Sequence, residues 1–171
     1  SYGTHENFLL RRDVPFERVI SALLPFISTR QIYAGAGKVG VEEDTLSDQA
    51  VFQLAQRSDF FEVITSVDTM QRRPLVNSRD EPHADPVRWR RLHMILGDAN
   101  MSEWATALKV GSLALVLDLL EEDLVPTFEL ADSVAALKSI SRDTTRQWPV
   151  ELADGRYVSG LEIQQAYCNA A

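Results

Sequence analysis

Arg88-Trp89-Arg90-Arg91-Leu92-His93-Met94-Ile95-Leu96-Gly97-Asp98-Ala99-Asn100 decides how the rest of the chain is read. Residues 88–96 read as a β-strand. Side chains alternate faces along a strand, so Leu92, Met94 and Leu96 point to one side and Arg91 and His93 to the other, with Ile95 beyond them. The apolar side needs a core. The opposite side sets a guanidinium beside an imidazole. A cationic group and a possible metal ligand thus share one sheet face, which is half of what a nucleotide–metal site requires.

Working outward toward the C-terminus, Asn100 is placed to cap a long helix, with Glu103 three residues on as a capping box. Trp104, Leu108, Gly111 and Leu115 follow one helical face, widened by Ala105, Leu117, Leu119 and Leu120, and that face is expected to be core. Ser133–Ile140 predicts a short helix. Val150-Glu151-Leu152 before Asp154-Gly155 predicts a hairpin-like turn. Leu161–Tyr167 begins a final helix.

Toward the N-terminus, Asp80–Pro86 is a polar loop with two prolines. Leu75–Arg79 reads as a strand with Asn77 and Arg79 on one face, after a turn or short helix around Arg72 and Pro74. Residues 51–58 and 60–67 contain strand-like runs, and the acidic stretch 40–50 reads as a loop. Phe16, Val19, Ile20, Leu23, Leu24 and Ile27 recur at helical spacing. Asp13 is expected to cap that helix, with Pro15 in its first turn, Pro25 to kink or split it, and Gly35 and Gly37 to end it. Residues 2–10 read as a strand with His5 and Asn7 on one face and Glu6 on the other. Strands and helices mix without regular alternation, which predicts an α+β domain.

The 171 residues amount to one domain's worth of chain, and 45% apolar residues suffice for a core. A net charge of -8 argues against nucleic acid as a partner. Cys168 is the single cysteine, so an intramolecular disulfide is impossible and a reducing, cytoplasmic setting is expected. No apolar run approaches the ~20 residues of a membrane span. The start at Ser1-Tyr2-Gly3, without Met, suggests a piece of something longer.

The chain has three histidines. His83 lies in the polar loop, whereas His5 and His93 are embedded in polar strand centres, where imidazole with carboxylate oxygen suits Mg²⁺ or Mn²⁺. Arginines are the phosphate candidates, because a guanidinium clamps phosphate bidentately. Arg79 and Arg91 share strand faces with other polar groups; Arg88 and Arg90 read as solvated. Gly35-Ala36-Gly37-Lys38 lacks the spacing of a P-loop and follows a helix, so it reads as a helix stop. Cys168 and the serines show no nucleophile context.

Four motifs in order resemble one family. Ser1-Tyr-Gly-Thr-His-Glu-Asn7, Arg79-Asp-Glu-Pro-His-Ala-Asp85, Arg90-Arg-Leu-His93 and Gly97-Asp-Ala-Asn-Met-Ser-Glu103 are similar to the Pup ligase and Pup deamidase/depupylase enzymes. Thr29-Arg-Gln31, Gly35-Ala-Gly37 and Gln56-Arg57 fit as well. Those enzymes handle Pup, a disordered tag that marks proteins for a bacterial proteasome. The resemblance implies a glutamine synthetase-like fold, a curved antiparallel sheet with helices packed on one face. It implies ATP (or ADP plus phosphate) and Mg²⁺ as cofactors, and Pup and pupylated proteins as partners.

In that wider superfamily a Gly-x-His histidine binds metal, and His5 in Gly3-Thr4-His5 matches. An Arg-Ile-Glu strand brings an arginine to the phosphates and a carboxylate to the metal. Arg91-Leu92-His93 matches, with His93 in place of the carboxylate, and Arg79 resembles an additional phosphate arginine. Thr4, where the ligase usually carries Cys, leans to the depupylase, as do Asp98-Ala99-Asn100, Ser141-Arg142-Asp143 and Gln56-Arg57-Ser58-Asp59. Met101-Ser102-Glu103 leans to the ligase. The alternatives are ligation of Pup glutamate to lysine, and a non-catalytic scaffold of the same fold. The family's glutamates and key aspartate lie upstream of the Ser-Tyr-Gly motif, so residues 1–171 correspond to the central part of one catalytic domain, expected to be inactive alone.

Overall fold

The computed structural model describes residues 3–41, 51–68 and 72–171. Ser1, Tyr2 and most of the acidic 40–50 stretch lie outside the described residues. The scaffold is a four-stranded sheet in the order β1-β6-β5-β4, with β1 Gly3–Arg11, β4 Phe61–Ser66, β5 Arg73–Asn77 and β6 Trp89–Asp98. β6 pairs antiparallel with β1 on one side and β5 on the other, so the organising strand is central. β5 and β4 run parallel, a departure from the all-antiparallel expectation. Two small antiparallel ribbons complete the strands: β2 Lys38–Val39 with β3 Phe52–Gln53, and β7 Pro149–Glu151 with β8 Tyr157–Ser159. The second is the hairpin expected around Asp154-Gly155, whose glycine has φ +82°.

Five helices accompany them among the described residues: α1 Phe16–Thr29, α2 Gln31–Ala34, α3 Glu103–Glu121, α4 Ser133–Arg142 and α5 Gly160–Ala170. Leu92, Met94 and Leu96 are buried and join Leu10 of β1, Val19, Leu23 and Ile27 of α1, and Leu113 and Leu117 of α3 in one core. The alternation read in residues 88–96 therefore holds. β1 alternates likewise, with Glu6 and Leu10 buried and His5 and Asn7 exposed.

Several local expectations change. α1 passes through Pro25 without interruption and starts at Phe16 with Pro15 at the cap position, while Asp13 binds the Arg11 guanidinium instead of capping. Among the described residues around Arg72 and Pro74 there is no helix: Arg72 is a bend and Pro74 lies within β5, which ends at Asn77 rather than Arg79. The 51–58 run supplies only two strand residues before a 3₁₀ turn at Ser58–Phe60. α3 begins two residues later than expected, with Ser102 at the cap and no side-chain capping bond. Asn100 is bound elsewhere: its Nδ2 donates to the Ala34 carbonyl at 3.0 Å and its Oδ1 accepts from Lys109 Nζ at 2.8 Å.

The largest correction concerns the face of α3. Trp104 is 86% exposed and Leu115 54%, while Leu117, Leu119 and Leu120 are buried as expected, together with Lys109, Leu113 and Val116, which lie off the expected face. Leucines lie nearly all round this helix, so periodicity offers two stripes of comparable weight. Lys109 selects between them, because its ammonium is buried against the Asp98 carbonyl at 2.6 Å.

Candidate functional site

His5 and Asn7 of β1 and Arg91 and His93 of β6 come together on one face of the sheet. The β1–β6 register sets Asn7 opposite His93 and Leu9 opposite Arg91. The ladder is irregular between Thr4 and Glu6, and a bulge of this kind re-aims a side chain. His5 there reaches His93, with His93 Nε2 and His5 Nδ1 3.1 Å apart and the rings 5.1 Å apart between centroids. Arg91 Nε donates to Asn7 Oδ1 at 2.8 Å, which orients the guanidinium along the same face.

Both imidazoles are held neutral. His93 is pushed down to about 4, by burial first, then by Arg91 and His5. His5 is lowered by burial, then by Arg57 and Arg91. Neutral imidazole is the form that binds a metal. His93 Nδ1 is buried without a hydrogen-bond partner, so one ring nitrogen is left unspent. A bare cation beside guanidinium groups is electrostatically opposed. The donor set therefore fits a metal accompanied by an anion that also engages the arginines. No group of three His, Cys, Asp or Glu side chains able to hold a metal exists among the described residues, so His5 and His93 supply part of a coordination shell.

The other candidates fare differently. Arg79 lies past the end of β5, largely exposed, with Glu81 3.6 Å from its guanidinium. Asn77, expected to share its face, is buried opposite His93 and accepts the Arg79 amide on Oδ1 at 2.8 Å. Position 79 continues the antiparallel register toward Arg91, whose amide donates to Asp80 Oδ1 at 3.1 Å, but no direct contact joins the Arg79 side chain to His5, His93 or Arg91 among the described residues. His83 stays in the exposed loop at φ 52°. Arg90 faces away from Arg91, over the Phe16 ring at 5.5 Å.

Behind the site lies a buried polar layer that strand alternation alone did not disclose. The Glu6 carboxylate accepts from both Arg30 Nη atoms, one at 3.0 Å, with both side chains almost wholly excluded from solvent. Asp98 at the end of β6 accepts the Ala36 and Gln56 amides on Oδ2, at 2.9 and 2.8 Å. Burial raises its carboxyl above the usual range, and those two amides counter part of the rise. Asp98 thereby ties the strand to two loops, one the Gly35–Gly37 segment and the other leading into Arg57. The Gly35–Gly37 segment is a helix stop, as read, and Lys38 Nζ is bound to Asp59 at 2.9 Å.

Arg57 is the functional candidate that spacing could not find. It lies outside the main sheet, yet after burial its positive charge is what most lowers the His5 pKa. The available signal was the Gln56-Arg57 pair within the family motifs.

The family described as Pup-ligase protein matches residues 1–171. The chain belongs to that family. Among curated relatives it is 47% identical to a depupylase of Acidothermus cellulolyticus, covering 100% of this chain and 34% of the relative. It is 47% identical to a Pup deamidase/depupylase of Mycobacterium tuberculosis, at 98% and 34% coverage. It is 44% identical to a Pup–protein ligase of Corynebacterium jeikeium, at 100% and 38%. The Pup ligase PafA solved in complex with ADP superposes with a TM-score of 0.86 at 43% identity, covering 99% of this chain and 37% of that one. The complex between Pup and PafA gives 0.84 at 42% identity, covering 99% and 33%. The chain thus spans about a third of the length of these relatives. Family membership and the α+β fold are thereby shown, and relatives of both activities stand at similar distance. No helix among the described residues is long and apolar enough to cross a membrane.

Proposed function

We propose that this chain is the central, nucleotide-holding part of the catalytic domain of a Pup deamidase/depupylase. The observation that carries the reading is the gathering of His5, His93 and Arg91 on one sheet face, in a chain 43% identical to a Pup ligase solved with ADP. Arg91 binds nucleotide phosphate, and His5 and His93 give nitrogen ligands to Mg²⁺. Arg79, exposed beside Glu81, is at most an accessory phosphate contact at the rim. Magnesium with its bound phosphates supplies Lewis-acid polarisation and charge neutralisation at the reacting carbonyl.

The chain's own residues hold this arrangement. Asn7 fixes the Arg91 fork, and the depressed His93 stays unprotonated. Arginine charge near the reacting carbonyl favours a developing oxyanion over the ground state. The reaction is hydrolysis at the side-chain carbonyl of Pup's terminal residue, releasing ammonia from Gln or freeing the isopeptide-linked lysine. The full enzyme works in the cytoplasm, linked to the bacterial proteasome through Pup. Thr4 favours this activity over the ligase: its hydroxyl, where the ligase usually carries Cys, donates to the Asp98 carbonyl at 2.9 Å.

Ligation must use a γ-phosphate per product, whereas hydrolysis of an amide need not. The complete protein is therefore assayed with Pup ending in Gln, and with Pup ending in Glu plus a lysine acceptor, counting ATP consumed. Ammonia release without stoichiometric ATP consumption is expected. Conjugate formation with one ATP per product would assign the ligase instead. Nucleotide binding with neither activity would assign the scaffold.

A further inference from the structure

Two buried acceptors near the end of β6 have no hydrogen-bond donor within the protein: Asp98 Oδ1 and Gln31 Oε1. Both residues are more than nine-tenths buried, at 4% and 6% exposed. Their other polar atoms are committed. Asp98 turns Oδ2 to the Ala36 and Gln56 amides. Gln31 Nε2 donates to the Ser28 carbonyl at 3.0 Å and to the Leu137 carbonyl at 2.6 Å. Carbonyls only accept, so the Gln31 amide cannot be turned round to relieve Oε1. Buried polar groups ordinarily find a partner, and an unmet acceptor here forfeits its hydration without return.

Both residues line one small cavity of about 20 Å³, together with Arg30, Lys109, Gly35 and Leu137. Every lining residue except Gly35 is buried. A single water needs roughly 10–15 Å³ and two to four polar partners, so there is room for one molecule and little more. Charge narrows what that molecule is. Arg30 and Lys109 on the wall oppose a cation, and the Asp98 carboxylate opposes an anion. An apolar occupant would satisfy neither oxygen. A neutral molecule with two hydrogens to give meets both. Lys109 Nζ spends two of its three N–H groups on the Asp98 carbonyl and Asn100 Oδ1, which leaves one to donate to the occupant.

The rival arrangement is a protonated Asp98 whose Oδ1–H donates to Gln31 Oε1 directly. Burial favours that proton, whereas the two amides, Lys109 and Arg57 favour the carboxylate.

We propose that this cavity is a site for one buried water, which donates to Asp98 Oδ1 and Gln31 Oε1 and accepts from Lys109 Nζ. The water joins α2 to the end of β6, where Asp98 already gathers two loops. It links the Thr29-Arg-Gln31 and Gly97-Asp98 motifs, which the histidine–arginine face does not use directly. The inference is independent of the nucleotide reading.

A crystal structure of the complete protein should show one solvent peak within hydrogen-bond distance of both acceptors, without anomalous signal after rubidium or bromide soaks. In solution, oxygen-17 relaxation dispersion should count one fewer long-lived water in Gln31→Met than in wild type, with thermal melting to confirm that the variant folds. The infrared difference between wild type and Asp98→Asn should contain no protonated-carboxyl stretch. An empty cavity, or an anomalous peak marking an ion, would overturn the proposal. So would a protonated-carboxyl stretch that accompanies a direct Asp98–Gln31 contact. An unchanged count of long-lived waters in a folded Gln31→Met variant would overturn the assignment to Gln31. Should that variant fail to fold, the wild-type solvent peak and the infrared spectrum still decide the matter.

Discussion

Replacing Glu6 by Leu should destabilise the protein more than replacing Arg30 by Met, although both remove one end of the same ion pair. The pair is buried, with side chains 2% and 3% exposed. Breaking a buried pair by removing one partner costs about 3–5 kcal/mol, because the survivor is left charged in a poor solvent. The asymmetry comes from Lys109, whose buried ammonium interacts favourably with Glu6 and unfavourably with Arg30. Without Arg30, Glu6 still has Lys109 nearby, so the loss should fall near ~3 kcal/mol. Without Glu6, two buried cations face each other with only Asp98 to balance them, and the loss should approach ~5 kcal/mol. Replacing both together restores charge balance and should cost less than either single change, since apolar replacements of buried pairs are often near neutral. Urea unfolding of the complete protein, with hydrogen exchange at the β1 amides reporting the local opening, measures all three. A double variant as destabilised as the sum of the singles, or an Arg30 variant worse than the Glu6 variant, would refute the reasoning.

Arg91→Ala should weaken ADP binding by roughly 1.5–3 kcal/mol while Arg90→Ala leaves it unchanged, and superimposable titration curves would remove Arg91 from the site. His93 should titrate near pH 4 by NMR, and Arg91→Ala should raise that value by removing the second of its causes. Because the folded value lies below the ordinary 6.5, the unfolded chain takes the proton first. The His93 contribution to stability is therefore full above pH 6.5 and lost as pH falls toward 4, which acid unfolding of His93→Gln against wild type will show as a reduced slope in that window. Leu113→Ala should cost about 2–5 kcal/mol and Leu115→Ala less than ~1 kcal/mol, a comparison that reports which face of α3 is buried.

Strand alternation made half of the site legible. Period 2 in residues 88–96 is unambiguous, and it put Arg91 and His93 on one face and Leu92, Met94 and Leu96 on the other. The same period in β1 put His5 opposite to Glu6. Pairing β1 with β6 put both histidines on one face, and the irregularity between Thr4 and Glu6 accompanies their approach to 3.1 Å. Helix periodicity failed in α3 because a helix apolar nearly all round carries no directional signal. Its choice of face depends on one buried cation, Lys109, whose partner Asp98 lies on another element. Asn100 misled for a related reason: an asparagine before a helix offers a cap, but here its amide joins Ala34 to Lys109. Alternation could not place the Arg79 side chain because β5 ends two residues before it, and strand ends are set by ladder pairing that the sequence does not display. Arg57 was beyond the reach of strand or helix periodicity, and only the Gln56-Arg57 motif pointed to it. Its place depends on a glycine 54 positions earlier leaving a gap, and on Asp98 fixing the amide next to it.

The charges on the sheet face also bear on the order in which ligands assemble. His5 and His93 are kept neutral partly by Arg57 and Arg91, so the same cations that ready the imidazoles for a metal repel the metal as it approaches. A divalent ion entering first would meet two nitrogens and a field of guanidinium charge. A polyphosphate entering first, or with its metal already attached, neutralises the arginines and brings the oxygens that Mg²⁺ prefers. On the proposed reading, the face would suit a metal–nucleotide complex better than either component alone. His5 and His93 would then add nitrogen ligands to an ion held mainly by phosphate. Replacing the carboxylate of the Arg-Ile-Glu pattern with His93 strengthens that dependence. A carboxylate would attract a free cation and offset the arginines, whereas a neutral imidazole does neither.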